Sequence, residues 1–200
     1  MLPAHCSLVR AALLPAYAYS PSRLPQGMED LGKNIRRFRF ANARLVHAFE
    51  PPAMPSQVAS WSLVTTDEEL LGVGLLYAGV MLHGKHLRKR LVTGALKEQL
   101  INQIGARRLT EALRYDIDPP ATLAHDVDRY ALKAFGLAVM YRYTRAAHME
   151  AGRRLLRRFS SEDPVLRPAL CAARRLATRF CSPIGNMVLS SLDLAMGDSK

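Results

Sequence analysis

Cysteine, lysine and acidic residues are all scarce in this chain of 200 residues. The three cysteines, Cys6, Cys171 and Cys181, are an odd number without a Cys-x-x-Cys spacing, which argues against both a disulfide framework and a zinc cluster. A reducing cytosol is the natural setting for such a chain. Only six of the 28 basic residues are lysine, so planar guanidinium groups supply most of the positive charge.

Strand signals are also nearly absent. The sequence has no sustained alternation of β-branched or aromatic residues and no Asn-Gly or Asp-Gly hairpin turn. It therefore predicts an all-α fold, a compact bundle of roughly seven to nine helices without significant sheet. The most apolar stretch, Leu70–Gly84, has 15 residues, fewer than the roughly 20 needed to cross a bilayer. We therefore expect it to be a core helix.

The first 27 residues differ from the rest of the chain. Leu8–Tyr19 superficially resembles a signal peptide, but Arg10 and Pro15 interrupt its apolar run. We expect residues 1–27 to be a disordered or untranslated extension, with Met28 as an alternative start. Residues 28–200 are expected to form a single all-helical domain, with a possible sub-boundary near residues 116–122.

Several helix boundaries can be predicted from the sequence. Thr65 and Thr66 each precede a glutamate by three residues, so either can cap a helix over the apolar stretch. Three glycines inside that helix predict a close approach to another helix: Gly72, Gly74 and Gly79. Further helices are expected over about 123–159, with kinks at Gly136 or Gly152, over 165–180 and over 183–195.

Positive charge is concentrated towards the C-terminus. Residues 131–181 hold 11 basic and three acidic side chains, whereas residues 65–130 hold nine of each. Such a field indicates an anionic partner, which could be a nucleic acid, a phospholipid or an acidic protein surface.

Four arginines of one predicted helix form two i,i+4 pairs: Arg153, Arg154, Arg157 and Arg158. Because like charges at this spacing repel, they indicate either a surface that awaits a counter-charge or a solvated face. Arg142 and Arg145 lie on an adjacent face of the same predicted helix. Three further arginines repeat the pattern on the next helix: Arg174, Arg175 and Arg179.

Candidate catalytic and metal-binding groups are sparse. His83 and His86 lie on one helix face but lack a third ligand at a matching spacing. His125, Asp126 and Asp128 resemble a base with its orienting carboxylate, although helix capping explains the aspartates equally well. No phosphate-binding loop or nucleophile motif occurs. The sequence therefore predicts a non-enzymatic protein without cofactor or metal.

Two segments resemble a known family. Tyr77–Arg90, which contains Leu82-His83-Gly84 and the basic residues Arg88 and Lys89, is followed by Leu96–Leu100 and by Arg108-Leu109. Upstream lies Phe38–His47, in which aromatic residues precede a small-residue stretch and a histidine. In this order the segments are similar to the SctK family, the accessory subunits of bacterial type III secretion injectisomes.

The resemblance implies a cytoplasmic adaptor of the sorting platform, at the cytosolic face of the inner membrane of a Gram-negative bacterium. Such an adaptor links the cytosolic domain of the ring protein SctD to the pod protein SctQ, and through SctL to the ATPase, and it reaches the membrane only through protein contacts. Candidate contact residues are the four arginines at 153–158 together with Arg88 and Lys89. Leu82, His83 and Gly84 either shape a helix turn or touch a partner.

The alternative function is nucleic-acid binding by a basic helical protein, which the adaptor hypothesis does not expect. RNA-binding surfaces usually add stacking aromatics to their cations, and Tyr141, Tyr143 and Phe159 are few and more typical of a core. An all-helical enzyme with a site that the sequence does not reveal is the third possibility.

Overall fold

The computed structural model describes residues 62–64, 66–90, 94–117 and 128–197. Every regular element in these ranges is an α-helix, which confirms the predicted fold class. Residues 62–64 are helical, and eight helices follow them in order: α1 (Glu68–Leu82), α2 (Gly84–Arg90), α3 (Ala95–Ile104), α4 (Ala106–Arg114), α5 (Arg129–Ala147), α6 (Met149–Arg157), α7 (Leu166–Arg175) and α8 (Thr178–Gly197).

Helix α1 is the centre of the core. Asp67 caps it, because its Oδ1 accepts a hydrogen bond from the backbone N–H of Leu70 at 2.8 Å. The predicted cap Thr66 instead donates its hydroxyl to the carbonyl of Ser62 at 2.6 Å, and Thr65 lies outside the described residues. From Gly74 to Leu82 every residue of α1 is buried, against α5, α8, α4 and α3. The expected core helix is confirmed.

The predicted close helix approach occurs between α1 and α5. A Cβ at Gly79 would overlap the carbonyl oxygen of Leu132, and a Cβ at Gly136 would overlap that of Leu75. Gly136 therefore serves packing, and α5 continues through it without a break. Gly72, by contrast, has open space where its Cβ would lie.

Two of the predicted helices are divided differently. The stretch 123–159 breaks at His148, whose extended backbone ends α5 and whose Nδ1 accepts from the N–H of Ala151 to begin α6. The stretch 165–180 breaks at Leu176, and α8 then runs from Thr178 through Pro183. Pro183 therefore lies inside a helix, whereas the sequence predicted that a separate helix begins there.

Several expectations lie outside the described residues. They concern the N-terminal extension, the alternative start at Met28, the Phe38–His47 segment and most of the possible boundary at 116–122. The arrangement of residues 28–200 as a single domain also stays a prediction.

Candidate functional site

The turn between α1 and α2 is formed by Leu82, His83 and Gly84, and all three residues are buried. A Cβ on Gly84 would lie 2.8 Å from the carbonyl oxygen of Ala112 and 2.9 Å from that of Tyr115. Only glycine therefore lets the start of α2 rest on the end of α4. The family-like motif forms this helix turn, and the side chains of Leu82 and His83 are fully buried.

His83 has an unusual environment. Its ring packs 4.5 Å from that of Phe135, and both ring nitrogens are buried without a hydrogen-bond partner among the described residues. Burial lowers the pKa of His83 to about 4, and the nearby His86 adds to this effect. The imidazole is therefore neutral at pH 7. Its burial also leaves it poorly placed to share a metal with the partly exposed His86.

A groove lies between α2, α3 and α4, with a cavity volume of about 510 Å³. Its floor is apolar and consists of Ile101, Ala106, Leu109 and Leu113. Cationic side chains from all three helices surround this floor: Arg88, Lys97 and Arg114. The groove therefore combines apolar surface with positive charge.

The charges around the groove are only partly compensated. Arg88 forms an exposed ion pair with Asp116 at 3.1 Å. Lys97 and Arg114 are exposed, and no carboxylate among the described residues lies within ion-pair distance of either. A surface of this kind attracts a ligand that carries both carboxylates and apolar side chains. The side chain of Lys89, the neighbouring candidate, lies outside the described residues.

Sequence reasoning missed two members of this site, Lys97 and Arg114. Gly105 brings their helices together, because its φ of +83° lies in the left-handed region that favours glycine and turns α3 into α4. Lys97 and Ile101 are four residues apart and so lie on the same face of α3. Thr110 and Arg114 share one face of α4 for the same reason. That spacing is the only signal for the groove in the sequence.

The four arginines at 153–158 do not form one exposed stripe. Arg154 is fully buried, and its Nε donates to Glu150 at 3.3 Å. Glu150, itself only 13% exposed, also pairs with Arg153 and Arg157, each at 3.7 Å. The expectation of a shared contact surface is therefore wrong for Arg154 in this conformation.

Arg158 also serves the fold. Its Nη1 donates to the carbonyl oxygen of Leu63 at 2.8 Å and so ties the end of α6 to the helix before α1. Burial lowers the pKa of Arg158, whereas the nearby Glu68 and Asp67 oppose that shift. Arg153, with a side chain 57% exposed, is the member of the four that is most available to a partner.

The other candidate residues have clear places. Asp128 caps α5 by accepting from the N–H of Ala131 at 2.7 Å, which confirms the capping interpretation, whereas His125 and Asp126 lie outside the described residues. Three aromatic residues were expected in the core. Phe159 is buried there, and Tyr141 and Tyr143 are half-buried and pack against the core. Groups of three or more metal-binding side chains do not occur among the described residues.

Comparison with family models, with curated proteins and with solved structures finds no match for this chain. Among the helices in the described ranges, none has the length and apolar character needed to span a membrane.

Proposed function

We propose that this protein is a non-enzymatic adaptor that binds an acidic and partly apolar segment of a partner protein in the groove between α2, α3 and α4. The observation that carries the proposal is the pairing of an apolar floor with the cations Lys97 and Arg114, for which the described part of the chain offers no carboxylate partner. An incoming apolar side chain gains free energy by leaving water, at roughly 25 cal/mol per Å². The cations steer the acidic segment and fix its register.

The setting proposed for this adaptor is the type III secretion sorting platform. Support comes from the resemblance to the SctK family, because the segments that carry it include the α1–α2 turn and parts of α3 and α4, and supply three of the eight residues that line the groove, Arg88, Lys97 and Leu109. Its partners would be the cytosolic domain of SctD and the pod protein SctQ, with SctL and the ATPase reached through SctQ. The protein would act in the cytoplasm at the inner membrane of a Gram-negative bacterium.

The genetic setting provides the first test. Genes for ring, stalk and ATPase components beside this one would support the assignment to an injectisome. A ribosomal or metabolic neighbourhood would contradict it, while the binding role of the groove would still be open to direct measurement.

Direct measurement uses the purified chain with SctQ and with the SctD cytosolic domain from the same genome, by biolayer interferometry. The double variant Lys97→Glu/Arg114→Glu reverses two groove charges and should raise Kd about tenfold or more for one of these partners. Arg174→Glu/Arg175→Glu makes the same change in net charge on α7 and is the matched control. Equal weakening by both variants, or by neither, would contradict a role for the groove.

A further inference from the structure

Two helices and the first 15 residues of a third, which pack together, carry positive charge without any negative charge. Helix α5, helix α7 and residues 178–192 of α8 hold eight basic side chains and no aspartate or glutamate. α5 contacts both α7 and α8. The excess positive charge of the C-terminal half is therefore concentrated on one group of neighbouring helices, away from the groove between α2, α3 and α4.

Five of these side chains gather where α7 ends and α8 begins, and we name them the arginine face: Arg142, Arg145, Arg174, Arg175 and Arg179. The Nη2 of Arg142 donates to the hydroxyl of Thr178 at 3.1 Å, which brings α5 to the first residue of α8. Arg145 follows one turn later on α5, and Arg179 follows Thr178 directly. All of the five except Arg142, which is half-buried, are exposed.

The nearest carboxylate along the chain is already engaged. Glu150 is shared by three guanidinium groups of α6. Among the described residues, no carboxylate lies within ion-pair distance of any member of the arginine face. Mutual repulsion of these charges costs stability unless an anion neutralises them.

Two aromatic rings accompany the arginine face. The guanidinium of Arg145 lies 5.8 Å from the centroid of the Tyr141 ring and donates to its hydroxyl at 2.9 Å. The guanidinium of Arg179 lies 4.9 Å from the centroid of Phe180. Both aromatic residues are only half-buried. Cations next to partly exposed rings suit a ligand that has both phosphates and flat bases.

We propose that the arginine face binds the phosphate backbone of single-stranded nucleic acid, with Tyr141 and Phe180 available to stack on its bases. An acidic protein segment would also use the guanidinium groups, but only a nucleic acid supplies a phosphate for the cations and a flat base for the rings in every residue. The guanidinium fork can bind a phosphate through two parallel hydrogen bonds. This proposal does not depend on the function proposed for the groove, because the two surfaces share no residue.

The test is fluorescence anisotropy with a labelled 20-nucleotide uridine RNA, titrated with the full chain at 50 and 200 mM salt. If four phosphates are contacted, the slope of log K against log salt is about −2.8, and affinity falls about 50-fold between the two conditions. The variant Arg174→Gln/Arg175→Gln should lose about half of that slope and bind about tenfold more weakly at 100 mM salt. Arg107→Gln/Arg129→Gln removes the same charge from exposed positions outside both the arginine face and the groove and is the control.

Each outcome bears on the proposal. Weaker RNA binding by the α7 variant alone supports it, and a further loss in Phe180→Leu supports stacking. Equal loss in both double variants would show that net charge alone governs binding and would overturn it. Tighter binding of a polyglutamate of matched charge than of RNA would also overturn it, in favour of an acidic protein. So would the absence of any RNA binding at 50 mM salt.

Discussion

Gly79 of α1 and Gly136 of α5 meet where the two helices cross, so closely that a Cβ on Gly136 would lie 3.1 Å from the backbone nitrogen of Gly79. The same Cβ would overlap the carbonyl oxygen of Leu75. Because the obstructing atoms are backbone, no side-chain rotation can make room. The crossing of α1 and α5 therefore requires glycine, which has no Cβ, at both positions.

Replacing Gly136 with alanine should be strongly destabilising. The added methyl group forces α1 and α5 apart, and we expect a loss of roughly 3 kcal/mol or more in the free energy of unfolding. Urea denaturation followed by circular dichroism at 222 nm measures this change. Gly72→Ala is the matched control, because nothing lies within 4 Å of its added Cβ. It should instead stabilise by up to about 1 kcal/mol through helix propensity. Equal effects of the two substitutions would contradict this account of the crossing.

His83 should make stability depend on pH. Its pKa is about 4 in the folded protein, against an ordinary value of 6.5. Between these values the unfolded chain binds a proton that the folded protein rejects, so stability is full above pH 6.5 and falls as the pH drops towards 4. The expected loss over this window is about 3 kcal/mol. Urea midpoints at intervals from pH 7 to pH 4 measure it.

The contribution of His83 can be separated from other titrations by comparing two variants. His83→Phe removes the buried imidazole and should flatten the pH dependence relative to the wild type, whatever its effect on absolute stability. His86→Gln changes a partly exposed neighbour and should leave most of the slope in place. A wild-type slope that persists in His83→Phe would assign the pH dependence to other groups.

Glu150 should be more important for stability than an ordinary surface carboxylate. It is the acceptor for the fully buried Arg154. Glu150→Gln removes the carboxylate that pairs with that buried guanidinium, which should cost about 3 kcal/mol. Arg153→Gln is the control, because Arg153 is exposed and pairs with the same carboxylate, and it should cost less than about 1 kcal/mol. Thermal unfolding at low and at 0.5 M salt distinguishes the two, since salt screens only the exposed pair effectively.

The core could be predicted from the sequence because its signal is local. A 15-residue stretch without charge is longer than a typical buried strand, so a helix is the element that best satisfies its backbone and buries its side chains, and glycines within it indicated a close neighbour. Gly79 fulfils that prediction, but Gly72 does not. The sequence could not show which glycine meets a partner helix, because that depends on where α5 crosses.

The candidate surfaces were harder to predict because they depend on three-dimensional arrangement. Arg154 lies three residues after Ala151 and one before Leu155, both buried, so helical spacing placed it on the apolar side while its charge favoured the surface. The groove requires the left-handed turn at Gly105, and the arginine face requires Arg142 to reach Thr178. Arg142 and Thr178 are 36 residues apart in the chain, so residue spacing gives no signal for their hydrogen bond.

The two cysteines of the described helices should differ sharply in reactivity. Cys171 is exposed, whereas Cys181 is buried and its Sγ donates to the carbonyl oxygen of Ala177. Burial raises the pKa of Cys181 to about 11, and Arg142 only partly opposes this shift. At pH 8 about one in a thousand Cys181 thiols is therefore ionised, and steric protection slows attack further.

Iodoacetamide labelling at pH 8, followed by peptide mass spectrometry, should therefore modify Cys171 within minutes and leave Cys181 intact for hours. In 6 M urea the two rates should become equal, because the difference comes from folding alone. The Gly136→Ala variant extends the argument: since α5 packs against both α1 and α8, loosening the crossing should expose Cys181 and speed its labelling. Comparable labelling of both cysteines in the native wild type would mean that α8 opens readily. The packing of α8 against α5 would then be much weaker than the burial of Cys181 indicates.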